Sequence, residues 1–216
     1  MKIIAVNGSP RKTNNTAALL RKALEGAADN GAETKLVHLY DLEYQGCISC
    51  FACKRLGGRS FGRCAVRDEL TPLLEDVHTA DAVVVGTPLY LMAESAMARA
   101  FLERLLFQYS VYSEPPETKF PRRIRTALIY TMNLPESAFE AFGVDSAVRF
   151  VPAMMERIFG SCEKLLVADT LQFDDYSKYE NRLFDPEAKA RRHKEAFPLD
   201  ETKAYALGRR LVSPAA

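Results

Sequence analysis

The sequence predicts an α/β fold: a doubly wound, five-stranded parallel sheet in the order 2-1-3-4-5, with helices on both faces. Two observations predict it. Short apolar runs alternate with stretches of helical periodicity along the whole chain, the pattern that crossover connections between parallel strands produce. The apolar runs are also brief, β-branched and bounded by turn residues, as buried strands are.

Residues 2–7 (Lys-Ile-Ile-Ala-Val-Asn) form the first strand, closed by Gly8. Residues 16–28 read as an amphipathic helix with Leu20, Leu24, Ala27 and Ala28 on one face and Arg21, Lys22 and Glu25 off it. Asn30 and Gly31 end that helix. The second strand spans residues 34–39, and an irregular segment at 41–66 follows. A helix is expected over 68–79 and a third buried strand over 81–86, running into Thr87-Pro88-Leu89-Tyr90. Another helix covers about 94–107, and a Pro- and Glu-rich surface segment at 108–122 separates it from the fourth strand, 126–131. A helix at about 146–159, a fifth strand at 164–168 and a helical stretch at 186–211, broken near Pro198, complete the order. Five such strands suit the flavodoxin-like arrangement, in which the order reverses beside strand 1. There is no internal repeat or linker, so residues 1–216 are read as one domain with insertions at about 41–66 and 108–122.

Composition narrows the function. The 216 residues are 48% hydrophobic and 26% charged with a net charge of +1. That balance argues for no nucleic-acid partner and no anionic membrane surface. No apolar run approaches the roughly 20 residues needed to cross a bilayer. The first residues enter a strand directly rather than a signal peptide, so a cytoplasmic protein with reduced thiols is expected.

The first strand-to-helix connection is long for its kind. Such loops take about 2–6 residues; this one spans roughly eight, and nearly every residue offers a hydrogen-bond donor. It falls where open parallel sheets bind ligands. A helix N-terminus carries free N–H groups and partial positive charge. Ser9, Thr13, Asn14, Asn15 and Thr16 add donors, and Arg11 adds a charge-assisted one. The loop has neither the glycine-rich nucleotide pattern G-x-x-x-x-G-K-[ST] nor G-x-G-x-x-G, so a single terminal phosphate fits better than a wrapped pyrophosphate. The plain alternative is a long polar loop with Asn15 or Thr16 as an ordinary N-cap.

Cys47, Cys50, Cys53 and Cys64 are spaced C-x2-C-x2-C-x10-C. Four thiolates suffice for a [4Fe–4S] cluster, zinc is a second possibility, and free thiols packed in a loop are a third. Lys54, Arg55, Arg59 and Arg63 fall in the last gap, either offsetting a negative cluster or forming a solvated face. Cys162 reads as a small buried residue. His38, His78 and His193 have no catalytic spacing with a Cys or Ser, and no residue stands out as an obligatory acid or base. Asp174-Asp175 and Arg122-Arg123-Ile124-Arg125 read as exposed faces, the latter also as a candidate subunit contact.

Three stretches together resemble the NADPH-dependent FMN reductase and iron–sulfur flavoprotein family: Ser9-Pro10-Arg11-Lys12-Thr13-Asn14-Asn15-Thr16, Gly86-Thr87-Pro88-Leu89-Tyr90 followed by Ala100-Phe101-Leu102-Glu103-Arg104, and the four-cysteine run ending Cys64-x-x-x-Asp68. The resemblance covers residues 1–107. It implies FMN at the strand carboxyl ends, with Ser9, Arg11, Asn14, Asn15 and Thr16 on the phosphate and Pro88, Leu89, Tyr90 and Met92 along the ring. Asn14 stands where the family has Ser. Thr131, Met132 and Asn133 take the third FMN loop by position. The last cysteine gap of ten residues is longer than in cluster-bearing members. The implied activity is an FMN-dependent oxidoreductase passing electrons from NAD(P)H to a small acceptor such as a quinone or free flavin. An alternative is an iron–sulfur flavoprotein carrier whose [4Fe–4S] cluster takes electrons from ferredoxin; a non-enzymatic FMN module is a third reading. A homodimer or homotetramer is implied by the same resemblance.

Overall fold

The computed structural model describes residues 1–212. In chain order its elements are β1 (Lys2–Asn7), α1 (Asn15–Ala28), β2 (Glu33–His38), α2 (Thr71–Thr79), β3 (Ala82–Tyr90), β4 (Ala93–Glu94), α3 (Ala96–Tyr109) and β5 (Arg125–Thr131). Then come α4 (Phe139–Phe142), α5 (Val144–Ala147), α6 (Phe150–Phe159), β6 (Glu163–Val167), α7 (Pro186–Glu195) and α8 (Phe197–Val212). The main sheet runs β2-β1-β3-β5-β6 with every neighbouring pair parallel. The expected fourth and fifth strands are β5 and β6, so the doubly wound, flavodoxin-like order stands. One strand was not foreseen: β3 continues through Thr87–Tyr90 and turns back as β4, which pairs antiparallel with it.

The two faces of the sheet carry separate cores because successive side chains point to opposite sides. Ile4, Val6, Val83, Val85, Leu128 and Tyr130 pack against α2, α3 and α6 through Leu74, Val77, Phe101, Leu105, Val151 and Ile158. Ile3, Ala5, Ala82, Val84, Ala127 and Ile129 meet α1 and α8 through Leu19, Leu20, Ala23, Leu207 and Leu211. Strands buried on both sides cannot alternate polar and apolar residues, which is why they read as unbroken runs.

Local chemistry accounts for the departures at helix ends. The long C-terminal stretch divides at Ala196, and Pro198 lies in the first turn of α8, where its missing N–H costs no hydrogen bond. Arg192 and Asp200 tie the two helices together at 2.5 Å. The helix expected from residue 146 begins at Phe150, after two single turns separated by Gly143 at φ +65°. Arg122 is not part of an open basic face: its guanidinium donates to the carbonyls of His78 and Ala80 at the end of α2, a cation placed at a helix C-terminus. No helix among the described residues is long and apolar enough to cross a membrane.

Helix α1 is held in place by close contact with α8. A Cβ at Gly26 would fall 2.1 Å from the Tyr205 carbonyl oxygen, and one at Gly208 only 1.8 Å from that of Ala23. The obstruction is backbone, which a rotamer change cannot relieve. Replacing Gly208 by Ala is expected to cost about 3 kcal/mol, the upper end for overpacking, and to lower the melting temperature by roughly 6–12 °C for a domain of this size. An unchanged calorimetric melt would mean the two helices can separate freely.

Candidate functional site

The carboxyl ends of β1, β3 and β5 form one rim beside the β1 switch point, and the expected phosphate loop lies on it. The loop is shaped by its own side chains. Asn7, fully buried, donates from Nδ2 to the Ser9 carbonyl at 3.1 Å and accepts the Ser9 N–H at 3.0 Å. His38 Nδ1 is 2.8 Å from the same Asn7 Nδ2. Ser9 Oγ accepts the Arg11 N–H at 3.2 Å. Asn14 occupies the N-cap position of α1 in extended conformation, yet its side chain makes no capping bond. The first-turn N–H groups of α1 therefore lack a side-chain cap, which is the arrangement an anion completes.

Gly8 joins this loop to the next. Its N–H donates to the Gly86 carbonyl at 2.7 Å, and its own carbonyl accepts Ser95 Oγ–H. Ser95 caps α3 by accepting the Ala98 N–H at 3.3 Å. A Cβ on Gly8 would lie 2.6 Å from Ala98 Cβ, so only glycine permits this approach.

The β3–β4 hairpin forms the second wall. Tyr90 pairs with Ala93, and the two residues between them, Leu91 and Met92, have φ of 51° and 63°. Two-residue hairpins with positive φ at both central positions favour Asn-Gly or similar pairs; here two bulky apolar residues hold that conformation. Such strain clusters at ligand clamps. Leu91 is 100% exposed and Tyr90 49%, while Met92 packs partly against the core. Burial raises the Tyr90 phenol above its ordinary pKa, and the Arg11 guanidinium opposes the shift, so loop 1 and the hairpin share one field. Pro88 and Leu89 are buried below.

Loop 3 follows β5. Thr131 Oγ1 lies 2.7 Å from Thr16 Oγ1 in the interior, joining it to α1. Met132 is buried among core residues, and its N–H donates to the Val167 carbonyl at 3.0 Å. Asn133 Nδ2 donates to Gln172 Oε1 at 2.7 Å, while its Oδ1 is buried without a partner. An orphaned buried acceptor, an uncapped helix start and a strained apolar hairpin together fit a ligand with an anionic end and a flat polar-edged ring, as FMN has.

Sequence reasoning missed the strap that closes this rim. The segment after β6 bonds residues of two of the loops: the Leu171 carbonyl accepts from Asn15 Nδ2 at 2.8 Å, and the Gln172 carbonyl accepts from Arg11. Lys189, 3% exposed, donates to the Asn133 carbonyl at 2.7 Å and pairs with Asp169. Nothing in the local pattern of residues 169–190 marks this role; a charged helical lysine ordinarily faces water.

The cysteines form a second centre. Cys47, Cys50, Cys53 and Cys64 all line one small pocket, with Phe51, Val66 and Phe107 as apolar walls. Among the described residues no three His, Cys, Asp or Glu side chains converge as they would on one metal ion. Ser49 and Phe51, between the cysteines, have φ of 53° and 55°, backbone of the kind that turns N–H groups toward anions and iron–sulfur clusters. Arg104, its side chain 0% exposed, bonds Asp68 at 2.5 Å and the Val66 carbonyl at 3.1 Å, with Nε unpartnered. The C-x-x-x-Asp68 and Glu103-Arg104 motifs thus meet behind the thiols. Gln108 accepts the Cys64 N–H at 2.9 Å. Lys54 is not beside the thiols as a counter-charge alone: it bonds the carbonyls of Phe107 and Ser110 at the end of α3. Cys162 lies apart, and burial pushes its thiol up to about 11.

Comparison with known proteins bears on the family and the fold. The profile of the NADPH-dependent FMN reductase family matches residues 1–121. An iron–sulfur flavoprotein of Methanocaldococcus jannaschii is 36% identical over 104 residues, 48% of this chain and 51% of that one. One from Methanosarcina thermophila is 33% identical over 104 residues, 48% of this chain and 52% of that one. The match thus spans about half the length of these curated relatives. An NAD(P)H:quinone oxidoreductase from Methanothermobacter marburgensis superposes with TM-score 0.71 at 15% identity, covering 100% of this chain and 99% of the other. An azoreductase from Bacillus anthracis superposes with TM-score 0.67 at 17% identity, covering 97% and 99%; these two likenesses establish the fold.

The thiols should differ in reactivity. Cys47 and Cys50 are exposed, whereas Cys53 is 8% exposed with its thiol pKa raised by burial. Because the thiolate is the nucleophile, alkylation of metal-free protein at pH 8 should label Cys47 and Cys50 first, with Cys53 and Cys162 slower by about an order of magnitude. Cys162 labelling should still be rising near pH 10. Peptide mass spectrometry checks this; equal rates at all positions would contradict the buried setting of Cys53.

Proposed function

This chain belongs to the NADPH-dependent FMN reductase family, and on that premise we propose that it is an FMN-dependent oxidoreductase with a [4Fe–4S] cluster as second redox centre. The observation that carries the reading is the four-cysteine run Cys47, Cys50, Cys53 and Cys64, whose members border one pocket without converging on a single point. The relatives' name, iron–sulfur flavoprotein, supports it. When bound, FMN supplies exchange between one- and two-electron chemistry, and the cluster supplies single-electron transfer.

The residues divide the labour as follows. The first turn of α1 with Ser9, Arg11, Asn14, Asn15 and Thr16 holds the FMN phosphate. Pro88, Leu89, Tyr90 and Met92, with the backbone of Thr131, Met132 and Asn133, line the ring. Arg104, fixed by Asp68 and the Val66 carbonyl, sets a buried positive charge behind Cys64, while Phe51 and Phe107 form apolar walls of the cysteine pocket. Helix α3 links the centres: Arg104 lies nine residues past the Ser95 cap, about 14 Å along the axis. A cluster held by Cys47, Cys50, Cys53 and Cys64 would suit a one-electron donor such as ferredoxin, and the exposed Tyr90–Leu91 edge would admit a small acceptor, a quinone or free flavin. A second reading, favoured by the family's own description, has NAD(P)H as donor and the cysteines as plain thiols.

Anaerobic purification with iron and sulfide analysis separates the readings. About four irons per chain, lost in Cys50→Ala while FMN stays bound, supports the first. Iron-free protein that holds FMN and oxidises NAD(P)H supports the second, and protein that takes up no FMN under reconstitution defeats both.

The phosphate assignment has its own test. Arg11→Ala removes a charge-assisted bond worth roughly 1.5–3 kcal/mol, so FMN affinity measured by fluorescence titration should fall by about 10- to 100-fold. Unchanged affinity would place the phosphate elsewhere.

A further inference from the structure

Glu94 is a carboxylate that neither the phosphate loop nor the cysteine pocket accounts for. Its side chain is only 4% exposed. It sits on β4, where its backbone pairs with Leu89, one of the residues assigned to the ring. Its Oε1 accepts a hydrogen bond from Tyr130 Oη at 3.0 Å, and Tyr130 immediately precedes Thr131 of loop 3. Its Oε2 lies 3.7 Å from Arg99 Nη1, a side chain that is 49% exposed and also 3.7 Å from Glu103. Burial, and then the charge of Glu94, push the Tyr130 phenol far above its ordinary range, so Tyr130 remains a neutral donor. The charge on Glu94 is therefore matched only by one loose cation at the rim.

A buried carboxylate with one neutral donor is costly to a fold, and the surrounding core of Leu89, Ala98, Phe101 and Tyr130 would accept an apolar side chain. The position of the charge gives it a use. It lies beside Leu89 of β3 and Tyr130 near the end of β5, the two strand ends that carry the proposed ring loops. We propose that Glu94 is a positioning residue for the redox reaction: its fixed negative charge lowers the midpoint potential of the bound flavin and makes the reduced protein a stronger electron donor. The inference rests on the FMN reading above. Reduction adds two electrons and one proton to the oxidised ring, a net gain of one negative charge. A unit charge at roughly 10 Å and an effective dielectric constant of about 20 opposes that gain by on the order of tenfold in the equilibrium constant. Tenfold in a two-electron couple is about 30 mV.

The test is a pair of charge changes with opposite expected signs, measured as flavin midpoint potential by anaerobic dye equilibration on FMN-loaded protein. Glu94→Gln keeps the shape and the acceptor for Tyr130 but removes the charge; its potential should rise by about tenfold in the equilibrium constant, or about 30 mV. Arg99→Gln leaves the carboxylate less compensated, and its potential should fall. If the Glu94→Gln protein fails to hold flavin, the direction of the Arg99→Gln shift alone decides. Flavin-loaded variants with unmoved potentials, or shifts of the same sign, overturn the inference while the FMN reading stands. Wild-type protein that binds no FMN overturns that reading and this inference together.

Discussion

The rim of this sheet depends on the contact at Gly8. Its N–H reaches the Gly86 carbonyl, its carbonyl takes the Ser95 hydroxyl, and Ala98 fills the space a Cβ would need. The β1–α1 connection, strand β3 and the β4–α3 connection are fixed relative to one another at that point. Without it the loop bearing Arg11 and Asn15 and the hairpin bearing Tyr90 would be separate surface loops. With it they become two walls of one groove. Gly86 extends the same logic, because a Cβ there would meet Leu20 and Thr16 at 2.8–2.9 Å, and Thr16 is the residue that bonds Thr131.

The fold was legible because buried parallel strands announce themselves: Ile3-Ile4-Ala5-Val6 and Ala82-Val83-Val84-Val85 have no polar face to confuse the pattern. The first loop stood out through a different signal, an excess of donors where a short turn would suffice. The strap did not. Leu171 and Gln172 reach Asn15 and Arg11 through backbone carbonyls, which every residue possesses, and Lys189 acts from a helix whose composition reads as solvent-facing. Arg104 and Gln108 lie in an amphipathic helix as two polar positions among many; their burial arises only once the 41–66 segment folds back over α3. Long-range closure of this kind leaves no local periodicity to read.

Backbone strain in the described residues is concentrated in the same places. Of the non-glycine residues with positive φ, Ser49 and Phe51 stand between the cysteines, Leu91 and Met92 form the hairpin tip, and Asp169 opens the strap. Each costs on the order of 1–3 kcal/mol unless the surroundings demand it. All five border either the rim or the cysteine pocket, and the long helices and central strands carry none. A fold that confines its unfavourable conformations to two neighbouring regions has placed its constraints there for reasons other than stability.

Helix α3 unites those regions. Its N-terminal cap, Ser95, holds the phosphate loop; its middle carries Arg99 and Glu103; Arg104, Phe107 and Gln108 line the cysteine pocket. Cys47 N–H donates to Glu103 at 3.3 Å, and Glu103 in turn lies within reach of Arg99, which faces Glu94. A chain of charges therefore runs along one helix from the cysteine pocket to the ring wall. Arg99 and Glu103 are about half exposed, so solvent screens much of this chain, and what α3 carries between the two proposed centres is position more than charge. This makes α3, rather than either loop, the element through which the two centres would influence one another.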